Sequence, residues 1–194
     1  MGNPARKIAT YADVLAAPPN MVAEIVDGEL NLSPRPAARH GLAASVLGEE
    51  LGSPFRRGRG GPGGWIFVDE PELHFAHDVL VPDLAGWRRE RMPLLPDAPF
   101  FTVAPDWICE VLSPGSERFD RKRKMPLYSQ MGVRHAWLVD PVERILEVYR
   151  LAEGNWLLLA TFADEDKVRA EPFDAIELEL GFLWADVEPD RGGK

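Results

Sequence analysis

The chain has a single cysteine, Cys109, among 194 residues. One thiol excludes an internal disulfide and fits a reducing compartment, and its apolar neighbours mark it as a packed core thiol rather than a nucleophile. Long apolar runs are absent as well. Nowhere do roughly eighteen apolar residues stand together, and the N-terminal stretch MGNPARKIATYADVLAAPPN has no hydrophobic signal core, so a soluble, cytoplasmic protein is expected. Positive charge is scarce: Lys and Arg total 22 against 31 Asp and Glu, a formal net charge of −9, which argues against a broadly basic nucleic-acid surface. That deficit is local. Residues 163 to 190 hold ten acids against Lys167 and Arg169, and the remainder is nearly neutral. Its cations cluster at Arg56, Arg57 and Arg59, at Arg88, Arg89 and Arg91, and over 118 to 124. Such clusters are ordinarily solvated faces, and the last is also a candidate phosphate-facing surface. No helix-turn-helix or zinc-finger pattern is present, so no base-reading element follows from the sequence.

With 45% hydrophobic residues the chain can bury one substantial core, and one compact domain is expected. Thr10 caps a short predicted helix, YADVLAA, stopped by Pro18 and Pro19. MVAEIVDGELNLS reads as a hairpin turning at Asp27-Gly28. HGLAASVLGEEL carries Leu42, Val46, Leu47 and Leu51 at helical spacing, and SPFRRGRGGPGG after it reads as a flexible loop. WIFVDE and ELHF read as a second pair of strands, followed by VLVPDLAGW as one strand and DWICEVLS as another. A basic helix, SERFDRKRKMPLYSQMG, precedes the strand HAWLVD and the meander ERILEVYRL and NWLLLATF. The expected class is α/β or α+β, with a central mixed sheet flanked by helices, an N-terminal hairpin and a C-terminal antiparallel meander.

Three charged residues stand where this pattern calls for apolar ones. Alternation along DWICEVLS puts Trp107, Cys109 and Val111 on one face and Ile108, Glu110 and Leu112 on the other, so Glu110 interrupts an apolar face. Asp83 falls between Val81 and Ala85 in the same way. On the basic helix Lys124, Leu127, Tyr128 and Met131 form one stripe, which takes Lys124 to the apolar side. Arg121 and Lys122 read as solvated cations, and Asp120 stands one turn before Lys124, within i,i+4 reach. Pro126 removes a helical hydrogen bond and is expected to kink the helix. A buried carboxylate needs a cation or a metal beside it. If Asp83 and Glu110 meet, two carboxylates about 4 Å apart repel by roughly 4 kcal/mol at an effective dielectric near 20, so a shared proton or a divalent ion is required. Oxygen ligands select Mg²⁺ or Mn²⁺, and such an ion activates water for phosphoryl chemistry while a lysine stabilises developing charge. Two readings are open: this catalytic one, and a buried Lys–carboxylate pair that only fixes the fold.

The order of EIVDGEL (24 to 30), the helix led by His40, VPDLAGW (81 to 87), APDWICEVLSPGS (104 to 116), Asp120-x3-Lys124-x3-Tyr128 and GVRHAWLVDP (132 to 141) resembles the PD-(D/E)XK nuclease superfamily. Within it the chain resembles the bacterial Uma-two family of restriction-endonuclease-like proteins, over residues 11 to about 184. The resemblance implies a single restriction-endonuclease-like domain spanning 1–194, with its core over about 22–151 and an acidic C-terminal extension over about 163–194. It also implies Asp83 and Glu110 as ligands of Mg²⁺ or Mn²⁺ and a lysine as the third catalytic member. The superfamily lysine two residues after Glu110 is replaced by Leu112, and the family pattern maps that role onto Lys124. Glu24, His40, Asp120 and Tyr128 match positions bordering the site. The implied activity is metal-dependent hydrolysis of DNA phosphodiesters, with RNA left open and a homodimer suited to cutting both strands. The competing class is a non-catalytic, nuclease-like binding or regulatory module.

Overall fold

The computed structural model describes residues 8–35 and 37–187. The stretch MGNPARK that opens the chain, Pro36, and the last acids of the C-terminal segment, Glu188 and Asp190, lie outside them. Among the described residues twelve strands make three sheets. The largest has six strands in the order β10 (Asn155–Ala163), β9 (Ile145–Ala152), β8 (His135–Asp140), β7 (Trp107–Val111), β6 (Leu84–Arg88) and β3 (Trp65–Asp69). Only β7 and β8 run parallel in it, joined by the basic helix as a crossover, so the sheet is mixed. A four-stranded antiparallel sheet has the order β2 (Glu29–Pro34), β1 (Met21–Val26), β5 (Asp78–Leu80) and β4 (Leu73–Phe75). The last pair is β11 (Lys167–Val168) with β12 (Leu178–Glu179). Helix α1 (Tyr11–Leu15) precedes the hairpin β1–β2, which turns at Asp27 and Gly28, with φ of 52° and 73°, the left-handed pair that the Asp-Gly sequence favours.

Two expected elements are arranged differently. WIFVDE and ELHF do not pair with each other: β3 joins β6 in the large sheet, and β4 joins β5 in the small one. VLVPDLAGW is not one strand. Pro82, which has no N–H to give a ladder, interrupts it, and the chain passes there from β5 in one sheet to β6 in the other. Asp83 therefore sits in the crossing rather than inside a strand.

The central strands of the large sheet are buried on both faces. One face presents Trp107, Cys109, Val111, Trp137 and Val139 to helix α2 (Ala38–Leu51), which offers Ala43, Leu47 and Leu51. The C-terminal segment closes this layer: Val168, Ala170, Leu178, Leu180 and Leu183 are buried, and Phe173 packs its ring 4.8–5.6 Å from those of Phe55, Trp65, Phe67, Trp107 and Trp137. A side chain at Gly86 would meet Phe67 Cε1 at 3.0 Å and Trp107 Cε3 at 3.2 Å, which explains a glycine inside a central strand. The loop after α2 is tied down at its start, where a widened helical turn, Gly52–Arg56, buries Pro54 and Phe55.

The opposite face presents Ile108, Leu112, Ala136 and Leu138 to Met125, Leu127 and Tyr128 of the basic helix and to Val26, Leu73 and Leu80 of the small sheet. That helix runs from Glu117 to Met131 in three parts: α3 (Glu117–Phe119), a π-type turn (Asp120–Lys124) and α4 (Met125–Met131). In the π-type turn the Met125 N–H donates to the Asp120 carbonyl, five residues back. Gly132, in the left-handed region at φ 80°, ends it.

Candidate active site

Where β7 ends, a cleft of about 510 Å³ opens between the hairpin β1–β2, the start of α2 and the turn over residues 113 to 116. Its lining carries five carboxylates, Glu24, Glu70, Asp83, Glu110 and Asp120, against the fixed cations Arg35 and Lys124, with His40 beside them. The three residues singled out by their misfit in apolar pattern thus reach one cleft, and Glu24, His40 and Asp120 line it with them. Tyr128 approaches from behind.

Lys124 is its centre. The residue is 3% exposed, and Nζ lies 2.9 Å from Glu110 Oε1, 2.9 Å from Glu24 Oε1 and 3.9 Å from Asp120 Oδ1, and donates to the Val81 carbonyl at 3.0 Å. Burial by itself would push this ammonium down; Glu110, Glu24, Asp120 and Asp83 overcome that and hold it well above the ordinary lysine value. Glu110 is 2% exposed and accepts a hydrogen bond from Tyr128 Oη on Oε1, the oxygen that faces Lys124. Burial pushes its carboxyl well above the carboxylate range; Lys124 opposes this, while Asp120, Asp83 and Glu24 add to it. Asp120 rises from 3.8 to about 6, again through burial first, with Lys124 and a hydrogen bond from Ser116 pulling the other way. Burial is thus the first cause of both raised carboxyls. Independently of them, the five carboxylates of the lining outnumber its two fixed cations.

Asp83 is held by two contacts. Oδ2 accepts the Val111 N–H at 2.7 Å, which ties the sheet crossing to the end of β7, and Oδ1 lies 3.2 Å from His40 Nε2. Burial pushes the His40 imidazole down, and the hydrogen bond and charge of Asp83 more than reverse this, leaving it above the usual histidine value. Glu24 Oε1 also accepts the Val81 N–H at 2.8 Å, so Val81 contributes both backbone groups to the Glu24–Lys124 pair.

The donor chemistry suits a hard divalent ion: carboxylate oxygens from Asp83 and Glu110 in a cleft with surplus negative charge. The ligand set is not assembled in advance. Among the described residues no three His, Cys, Asp or Glu side chains converge in a metal-holding arrangement. Glu110 Oε1 faces Lys124 and Tyr128, and Asp83 Oδ2 faces backbone, which leaves Glu110 Oε2 and Asp83 Oδ1 as the oxygens to offer.

Several contributors escape sequence reasoning. Arg121 is not a solvated cation: its Nε lies 2.9 Å from Glu117 Oε1 and its Nη1 2.6 Å from Glu147 Oε2, binding the basic helix to β9. Arg123 Nε contacts Asp27 Oδ2 at 2.8 Å and pins the tip of the hairpin that carries Glu24. Lys122 and Arg118 are exposed, as solvated cations should be. Asp106 takes the Arg88 N–H at 2.9 Å and faces Arg91 at 2.9 Å, away from the cleft. Only the SPGS turn at 113 to 116, whose two serines hydrogen-bond each other at 3.1 Å, had a local signal.

No helix among the described residues is long and apolar enough to cross a membrane. No curated protein matches the chain. Among solved structures, the chain is similar to a crystal structure described as "a putative nuclease belonging to DUF820" from Anabaena variabilis ATCC 29413, at 24% identity and a TM-score of 0.73. The likeness covers 91% of this chain and 98% of that one, and at this identity it shows the shared fold, an α+β architecture around a mixed sheet. The model of the Uma2 family, described as "Putative restriction endonuclease", matches residues 9–182, and the chain belongs to that family.

Proposed function

We propose that the protein is a metal-dependent endonuclease that hydrolyses phosphodiester bonds of DNA. The observation that carries this reading is the meeting of Asp83, Glu110 and Lys124 in one carboxylate-rich cleft, with Lys124 Nζ 2.9 Å from Glu110. The family's description points to restriction-type cleavage, hence to DNA.

Asp83 and Glu110 would hold Mg²⁺ or Mn²⁺. When bound, such an ion polarises a phosphoryl oxygen and makes a coordinated water more acidic. The chain's own groups do the rest. Lys124 keeps a full positive charge against its burial and sets it beside Glu110, where negative charge develops on the phosphate. Tyr128 fixes the Glu110 carboxyl, and the Val111 N–H fixes that of Asp83. Arg123 holds the hairpin, and with it Glu24, over the cleft. Arg118 and Lys122 are exposed on the basic helix and would meet flanking phosphates without reading bases. Two copies would serve the two strands of a duplex.

A second reading has an observation of its own. Lys124 already lies 2.9 Å from both Glu24 and Glu110 and compensates them, as a buried pair in a non-catalytic nuclease-like binding module would. Cleavage separates the two. Supercoiled plasmid, single-stranded DNA and RNA are incubated with the protein in Mg²⁺, Mn²⁺ or a chelator. Metal-dependent nicking of DNA that disappears in Glu110→Gln and Asp83→Asn is the expected result. No cleavage with either ion, or undiminished cleavage by Glu110→Gln, leaves the binding module.

A further inference from the structure

We propose that two copies of the chain join edge to edge through β2, pairing it antiparallel with itself about a two-fold axis at Leu32, so that the two clefts open side by side. The pairing stands on the strand alone; its use on a duplex rests on the nuclease reading above.

β2 is the edge of the small sheet, and among the described residues no strand pairs with its outer side. The two-residue turn at Asp27-Gly28 makes Val26 and Glu29 a hydrogen-bonded pair. Glu29, Asn31 and Ser33 therefore turn their backbone groups to β1, and Leu30, Leu32 and Pro34 turn theirs outward. The same three put their side chains on the face away from the cleft, and Leu30 and Leu32 are each 39% exposed. An edge with outward backbone groups and bare leucines is a template for another strand.

The occupant follows from the sequence ELNLSPR (29 to 35). Centred on Leu32, antiparallel self-pairing sets Leu30 against Pro34 of the second copy, Asn31 against Ser33, and Glu29 against Arg35, so every position meets its own kind or its opposite charge. Leu32 exchanges backbone hydrogen bonds with its twin, and the Leu30 N–H donates to the Pro34 carbonyl, beyond which the proline ends the ladder. The other edges fit less well. The edge of β4 is covered by Phe101, whose N–H donates to the Glu72 carbonyl and whose carbonyl accepts the His74 N–H. β10 has exposed Leu157 and Leu158, but its register shifts between Leu158 and Ala160, and self-pairing would bring the acidic ends at Glu153 and Asp164 together.

A two-fold axis perpendicular to the sheet leaves both cleft faces on one side. Glu24, Asn31 and Ser33 line the cleft, and the two copies of β1 stand three strand spacings apart, about 14 Å. One duplex could thus meet both sites. The contact is one strand pair, and the dimer is expected to be reversible.

Sedimentation of the full chain over a range of concentrations should show a monomer–dimer equilibrium. Glu29→Arg leaves a positive residue facing Arg35, and Arg35→Glu a negative one facing Glu29; each alone should raise the dissociation constant about 10-fold. Mixed, the two variants present opposite charges at both ends and should associate as wild type does. Leu32→Cys lies on the axis with Cα atoms about 5.5 Å apart, within disulfide reach, so mild oxidation should link two copies. Leu30→Cys, about 15 Å from its twin, should not link, and Cys109 is buried. Circular dichroism confirms that each variant is folded, and wild-type sedimentation needs no variant. A wild type that stays monomeric at every concentration overturns the proposal, as does a mixture no better associated than its parts, or Leu30→Cys linking as readily as Leu32→Cys. If the monomer cleaves DNA, only this inference fails; if the dimer forms as described and nothing is cleaved with either metal, the nuclease reading fails and the interface stands.

Discussion

Replacing Lys124 by methionine should destabilise the protein strongly at pH 8 and much less at pH 5. Methionine is close to the length of the lysine stem and carries no charge, so the perturbation is mainly the lost charge. At an effective dielectric near 20, a unit pair at the 2.9 Å separating Nζ from Glu110 Oε1 or Glu24 Oε1 attracts by about 6 kcal/mol, part of which is offset by the desolvation of the ammonium. Removing one partner leaves the carboxylates buried and uncompensated, a loss of about 3–5 kcal/mol. The carboxyls have another way to shed charge. Burial already holds Glu110 well above the ordinary range and Asp120 near 6, and both go higher without the ammonium. At pH 5 they bind protons, and the remaining loss is that of polar contacts, about 1–2 kcal/mol. Urea denaturation followed by circular dichroism at the two pH values measures this. An equal loss at pH 5 and pH 8 would refute the electrostatic account and make Lys124 a packing residue.

Two further outcomes follow from the same charge surplus. Glu110→Gln removes one of the surplus acids while keeping an acceptor for Tyr128, so at pH 8 it should cost less than about 1 kcal/mol in urea, or stabilise, even as cleavage is lost; a drop of several kcal/mol would mean the carboxylate is needed for the fold. For wild type, Asp120 titrates at 3.8 unfolded and about 6 folded, so the folded state binds the proton more tightly. Its stabilising contribution is complete below pH 4 and disappears as pH rises through 6, worth about 3 kcal/mol for a group this buried. Glu110 and His40, both raised, act with the same sign. Metal-free thermal denaturation should therefore show decreasing stability from pH 5 to pH 8, and a midpoint that rises with pH over this interval would contradict the raised carboxyls.

Periodicity made the centre of the site legible. Alternation along 107 to 112 placed Trp107, Cys109 and Val111 in one core layer and Ile108 and Leu112 in the other, with Glu110 the exception. The helical stripe likewise took Lys124 inward with Leu127 and Tyr128. Residues whose importance depends on a distant partner were not legible. Arg123 meets Asp27 across 96 residues and Arg121 meets Glu147 across 26, and nothing in the run DRKRK distinguishes either from exposed Lys122. The acidic composition of the C-terminal segment hid a buried apolar set, and only the fold reveals Phe173 at the middle of an aromatic cluster. Asp83 was found for a reason that the structure replaces. It is half-buried, and its place in the cleft comes from the sheet crossing at Pro82 and not from strand alternation.

The basic helix shows how a buried cation reaches Glu110 although the position two residues beyond it is Leu112. Leu112 at that position is 1% exposed and packs in the layer shared with Met125, Leu127 and Tyr128, so the strand completes an apolar face there. The cation then has to come from the helix packed on that face, and a regular α-helix through Pro126 would set its ring against the carbonyl of Lys122. The π-type turn resolves both demands. By giving the Asp120 carbonyl to the Met125 N–H, it adds a residue to the turn and shifts the register just before the proline. Both Asp120 and Lys124, at the two ends of that turn, are buried in the cleft, while Pro126 faces solvent at the start of α4. The proline that looks like a defect in an α-helical reading thus marks the change of register that presents Lys124 to Glu110.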